Sequence, residues 1–169
     1  MNLSNLFKII VSAAFVVILC SLYSKQKKVE IIISLFEEVD SVEVPLMASV
    51  EVYTKGKLLV RKESTETGKV PAIFMPTGKV YQIFIKKEGY VTKMAELDAK
   101  IADVENAPDP LYLSFQTVLF KEIEGVDFSF LEVTPLVKFD FDADYYYRFD
   151  KGYTIEMLKR VEALRQRTD

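Results

Sequence analysis

Residues 50 to 90 constrain this chain more than any other stretch. They read VEVYTKGKLLVRKESTETGKVPAIFMPTGKVYQIFIKKEGY. Short alternating runs are broken at Lys55-Gly56, Thr67-Gly68 and Thr77-Gly78, and the stretch closes on Gly89-Tyr90. Apolar residues alternating with polar ones at a period of two, with turn residues at short intervals, predict an antiparallel β-domain. The rest of the chain reads as a leader ahead of this domain and a segment that extends or caps it.

The leader occupies residues 1–25. Lys8 gives positive charge near the start, and Ile9 to Leu19 is an unbroken apolar or small run before Lys25-Gln26-Lys27-Lys28. Such a run suits the core of an export signal; a spanning helix needs about 20 apolar residues. Counted out from Leu6 to Tyr23, it also reaches the length of an uncleaved anchor. Cys20 is a candidate lipidation site, because Val17 lies three residues before it, although Leu19 is large for the position just before a lipidated cysteine. Cleavage, lipidation and retention as a signal or anchor helix stay open. Each puts the body of the protein outside the cytoplasmic membrane, in the cell envelope on the periplasmic side, with the membrane met only through the N-terminal segment.

Seven strands are expected across residues 29–120. They are Val29 to Phe36, Met47 to Thr54, Lys57 to Glu63, Lys69 to Met75, Lys79 to Lys87, Val91 to Leu97 and Leu111 to Phe120. Asp40 to Pro45 reads as a loop. Ala48, Val50 and Val52 face inward, with Ser49, Glu51 and Tyr53 on the other side. Leu58 and Val60 face inward on the next strand. Tyr81, Ile83 and Ile85 share one face, as do Leu111, Leu113, Phe115 and Leu119. Pro71 cannot donate to a ladder, so its strand lies at an edge or begins there. Asp98 to Pro110 is a long loop. Short strands with no helix between them form two packed sheets, a small antiparallel β-sandwich spanning residues 26–120.

Composition removes several functions. The chain has no histidine, which takes away most general bases, triads and zinc sites. Its one cysteine lies in the leader, so the body forms no internal disulfide. Net charge is -3 and the cations are scattered, so no basic patch marks nucleic-acid binding. Serines and lysines are present, but no motif sets them up as a catalytic dyad. No cofactor is expected.

Residues 121–169 are expected to add a β-hairpin and a helix packed on the sandwich. Val126 to Leu131 and Leu136 to Phe141 read as its strands, and Thr154 to Arg167 as the helix, capped by Asp150 or Thr154. Met157, Val161 and Leu164 form its apolar stripe, beside Leu158. Asp140, Asp142 and Asp144 resemble the start of a calcium loop, but Tyr145 and Lys151 stand where such a loop needs Gly and Glu. They are not assigned as metal ligands, and Asp140 with Asp142 is not assigned as a hydrolytic pair. Tyr145, Tyr146, Tyr147 and Phe149, with Arg148 among them, form the candidate partner or glycan surface, because clustered aromatics serve both packing and recognition.

One resemblance bears on residues Val29 to Leu97. Pro45-Leu46-x-Ala48-x-Val50-x-Val52, then Thr65-x-Thr67-Gly68, then Gly78-x-x-Tyr81-x-Ile83-x-Ile85 and Gly89-Tyr90 resemble the carboxypeptidase regulatory-like domain. The last part is also similar to PEGA-type domains. Pro71 and the lack of an early glycine near Ile33 to Phe36 depart from the former pattern. The resemblance implies an Ig-like or transthyretin-like sandwich without catalytic activity, in exported or surface proteins. The expected function is that of a non-catalytic envelope scaffold or interaction module whose partner is another envelope protein. The alternative is a carbohydrate- or peptidoglycan-binding module.

Overall fold

A computed structural model describes residues 26–166. The leader, the expected signal or anchor helix and Cys20 lie outside the described residues. Among the described residues no helix is long and apolar enough to cross a membrane.

The chain folds as a mainly β sandwich with a C-terminal helix, the class expected from its alternation. The first sheet is built on β1 (Lys28–Val39), whose buried Val29, Ile31, Ile33 and Leu35 alternate along one face. β2 (Val42–Pro45) folds back on its far end through a tight turn at Asp40 and Ser41. Asp40 to Pro45 is thus a turn and a strand, not a loop. The second sheet takes β3 (Ser49–Thr54) and β4 (Lys57–Glu63), joined at Lys55-Gly56. Their ladder shifts register between Val52 and Tyr53. Leu58, expected inward, is 40% exposed beyond this bulge, as bulges re-aim the residues that follow.

β5 (Ile73–Pro76) returns to pair with the start of β1. Between β5 and β2, Gly68 and Val70 complete the same edge: Leu35 N donates to Gly68 O at 2.8 Å and Val70 N to Ile33 O at 3.0 Å. Pro71 follows them, and the strand proper starts only at Ile73. β6 (Val80–Lys86) buries Tyr81, Ile83 and Ile85. β7 (Lys93–Asp98) pairs antiparallel with β6. β8 (Leu111–Leu119) then pairs parallel with β1 from Val29↔Leu111 to Glu37↔Leu119.

Val126 to Leu131 does not form a strand. Asp127 accepts from Ser129 N at 2.8 Å and starts a turn, and α1 (Phe130–Val133) follows. Apolar alternation there serves a helical turn, because Phe128 and Leu131, three apart, point to one side. β9 (Val137–Phe141) pairs parallel with β7, and β10 (Tyr147–Phe149) pairs antiparallel with β9. The C-terminal hairpin is therefore β9–β10, not the two segments read from the sequence. The second sheet runs β10-β9-β7-β6-β3-β4, and each sheet carries one parallel pair.

α2 (Lys151–Arg165) starts at Asp150, whose carboxylate accepts from Tyr153 N at 2.9 Å. Its Met157 and Val161 are buried with Val91, Phe128 and Leu131 in a cluster separate from the main core. Phe139 and Phe141 belong to the main core instead. Leu158 is 49% exposed. Met157 is buried in this cluster, so Met157→Ala should cost about 2–5 kcal/mol. A melting temperature unchanged from the parent would show that the stripe does not pack. Gly68 has φ +73, and a Cβ there would run into Leu35 O. Gly68→Ala should therefore lower the melting temperature far more than Gly56→Ala, where the added Cβ meets nothing.

Candidate functional site

The two sheets differ in width. Opposite the six-stranded sheet, the first sheet ends at β8, which pairs with β1 alone. Lys93 Nζ donates to Val118 O, and Val91 N donates to Phe120 O at 3.0 Å. Backbone groups alternate sides along a strand, so the N–H and C=O of Tyr112, Ser114 and Gln116 point away from β1, to the open edge. β8 carries no charged residue, unlike β4, whose edge holds Lys57, Arg61 and Lys62. Charged edges discourage strand addition, and β8 lacks that protection.

Beside this edge lies a cleft of about 510 Å³. β8 forms one side, β9 and β10 supply Phe139, Tyr147 and Phe149, and α2 supplies Thr154 and Leu158. Phe115 packs on Phe139 with ring centroids 5.0 Å apart. Tyr147 and Phe149 meet Phe139 edge-on at 6.2 Å and 6.4 Å. The cleft is thus mostly apolar and aromatic, as ligand sites are.

The aromatic cluster read from the sequence divides. Tyr147 and Phe149, two apart on β10, reach the cleft. Arg148 between them faces away and grips Asp140, with Nε donating to Oδ1 at 2.6 Å. Tyr146 is 73% exposed at the hairpin turn. Tyr145, at φ 66, packs against the main core. Asp142 holds this turn by accepting from Asp144 N and Tyr146 N, both at 3.0 Å. Asp140 and Asp142 are therefore engaged within the hairpin. Among the described residues there is no group of three or more metal-ligating side chains.

Lys93 is the charged residue of this site that the sequence reading passed over. It sits on the inward face of β7 with Ala95 and Leu97 and is 8% exposed. Among the described residues it is the only charged side chain lining the cleft, and no carboxylate forms a salt bridge with it. Its Nζ lies 4.9 Å from the Phe120 ring centroid. Burial pushes the ammonium down to about 8, and Arg165 on α2 adds to the shift. The alternation Val91-x-Lys93-x-Ala95-x-Leu97 was the available signal, since it puts a lysine on a core-facing position.

A second polar group is equally buried but fully matched. Glu51, expected on the solvent side of β3, lies under a lid of Lys86, Tyr53 and Arg61. Lys86 Nζ donates to it at 2.7 Å and Tyr53 OH at 2.9 Å, and Arg61 pairs with the other oxygen. These bonds, that from Lys86 first, hold its carboxyl down to about 2. The half-exposed cations mark it as a structural clamp on the outer face of the sheet.

No protein-family model matches this sequence, and no curated protein matches it. Part of the fold is similar to part of the Bacillus anthracis TIE protein. That likeness has 21% identity and a TM-score of 0.41, and it covers 56% of this chain. The chain matches only 17% of that protein's length.

Lys93 dictates how stability varies with pH. Below pH 8 the ammonium is charged in both the folded and unfolded chain, and its burial opposes folding in full. Between pH 8 and 10 the folded chain has released the proton and the unfolded chain still holds it, so stability rises with pH, by up to roughly 3 kcal/mol. Lys93→Met should melt above the parent at pH 7, with the gap closing as pH passes through this window. Thermal melts at stepped pH measure it, and a gap that does not change with pH would exclude a buried charge.

Proposed function

We propose that this chain is a non-catalytic interaction module of the bacterial cell envelope. The sandwich is exported to the periplasmic side, meets the membrane only through its N-terminal segment and binds another envelope protein. One observation carries the reading: an uncharged open strand edge beside an aromatic cleft, floored by Tyr147 and Phe149. Soluble folds protect such edges unless they use them. The apolar run Ile9 to Leu19 supports export, and the resemblance to carboxypeptidase regulatory-like and PEGA-type domains supports a binding role without catalysis.

Two measurements test this on the full-length chain. Protease added to spheroplasts should digest the domain, and protection equal to that of a cytosolic marker would overturn export. A photo-crosslinking residue at Tyr147 should join the chain to a protein in the membrane fraction. Label recovered only on glycan strands would favour a peptidoglycan-binding module instead.

A further inference from the structure

The first sheet lacks a strand where the second sheet continues. β10 extends past β8, so its inward residues Tyr147 and Phe149 face a space that no strand among the described residues fills, whereas Phe139 on β9 is already covered by Phe115 of β8. A strand added to β8 would lie about 4.8 Å from it, and facing sheets pack about 10 Å apart. It would therefore cover those rings as β8 covers the strands beside them. The backbone groups of Ser114 and Gln116 are the ladder partners it would meet.

The cleft has one closed end. Beyond Val118 the edge is already used: Phe120 O accepts from Val91 N, and Tyr90 bridges to Lys121. An added strand cannot run on past this point, so it turns away or ends there. Charge favours an end and decides which. Lys93 stands at this closed end beside Val118, buried and without a carboxylate partner among the described residues. Arg165 and Lys159 line the adjoining hollow. Glu38, Glu43 and Glu162 line that hollow too, but none of them lines the cleft. A peptide ammonium would be repelled by Lys93, whereas a carboxylate would supply the missing counter-charge.

We infer that the cleft binds the C-terminal end of a partner polypeptide as an added strand parallel to β8, its terminal carboxylate on Lys93. This rests on the reading of the chain as a protein-binding module and names what it binds. The strand's apolar side chains, every second residue, lie on Tyr147 and Phe149, so the preferred partner ends in alternating apolar residues. Such strand addition takes affinity from backbone bonds and selectivity from the pockets beneath.

The test uses the full-length chain in detergent and a library of peptides of about six residues, the usual strand length, with free C-terminal carboxylates. Peptides ending in alternating apolar residues should be selected. Amidating their C-termini, or substituting Lys93→Met, should weaken binding by about tenfold or more, as expected for losing one charge-assisted hydrogen bond. Phe149→Ala, at a half-exposed position, should also weaken it. Bound peptide should slow amide exchange at Ser114 and Gln116. Equal binding of amidated peptides, with Lys93→Met unaffected, would overturn the role of the carboxylate. No peptide bound, with the Tyr147 crosslink to a membrane-fraction protein retained, would overturn strand addition and leave the interaction module standing. Binding of peptidoglycan fragments and of no peptide would overturn both.

Discussion

β1 has both of its edges occupied, and the rest of the sandwich depends on that. On one side it holds β8 over nine consecutive pairs. On the other it holds β5, the Gly68–Val70 segment and β2 in succession. Its inward residues Val29, Ile31, Ile33 and Leu35 are all at most 1% exposed. The second edge is continuous only because Gly68 brings its backbone against Leu35. A side chain there would break the contact between two strand pieces that are far apart in sequence. The tie from Tyr90 OH to Glu37 fixes the far end of β1 to the turn after β6.

The cleft follows from the same arrangement. A first sheet centred on β1 is narrow, because two of its strands share one side. The second sheet gains width from β9 and β10, which enter by a parallel pairing with β7. The overhang leaves aromatic side chains beside an unpaired edge. Lys93 then puts an ammonium where Ala95 and Leu97 mark the core. Replacing a buried charge with a packed apolar side chain is commonly neutral or stabilising. In the folded chain its Nζ is held by Val118 O and the face of the Phe120 ring.

The sandwich was legible because its strands alternate. Val50 and Val52, Tyr81, Ile83 and Ile85, and Leu111 and Leu113 are buried as their period predicts. Position in the sheets was less legible. β2 is four residues with one face in solvent, so it has too few apolar positions to show a period. Val126 to Leu131 alternated but folded as a turn, because spacings of two and of three fit the same few aromatics over so short a run. Glu51 looked like a solvent residue, since nothing local shows that Lys86 and Arg61 come from the two neighbouring strands to cover it. Of the candidate surface, composition found Tyr147 and Phe149, but their separation from Tyr145 and Tyr146 depends on where β10 begins. Lys93 was written in the alternation, yet its meaning needed the open edge of β8, which no local pattern contains.

The β9–β10 hairpin is tied to the sheet by only three register pairs, Ala95↔Val137 to Leu97↔Phe139, and β10 by three more. β1 and β8 share nine. Proteins open in cooperative units, and the units with fewest anchoring bonds open first. The floor of the cleft thus rests on short ladders, whereas its wall, β8, rests on the longest. An occupant that bridges the two would couple the hairpin to the core, so binding would also slow the local opening of residues 137 to 149.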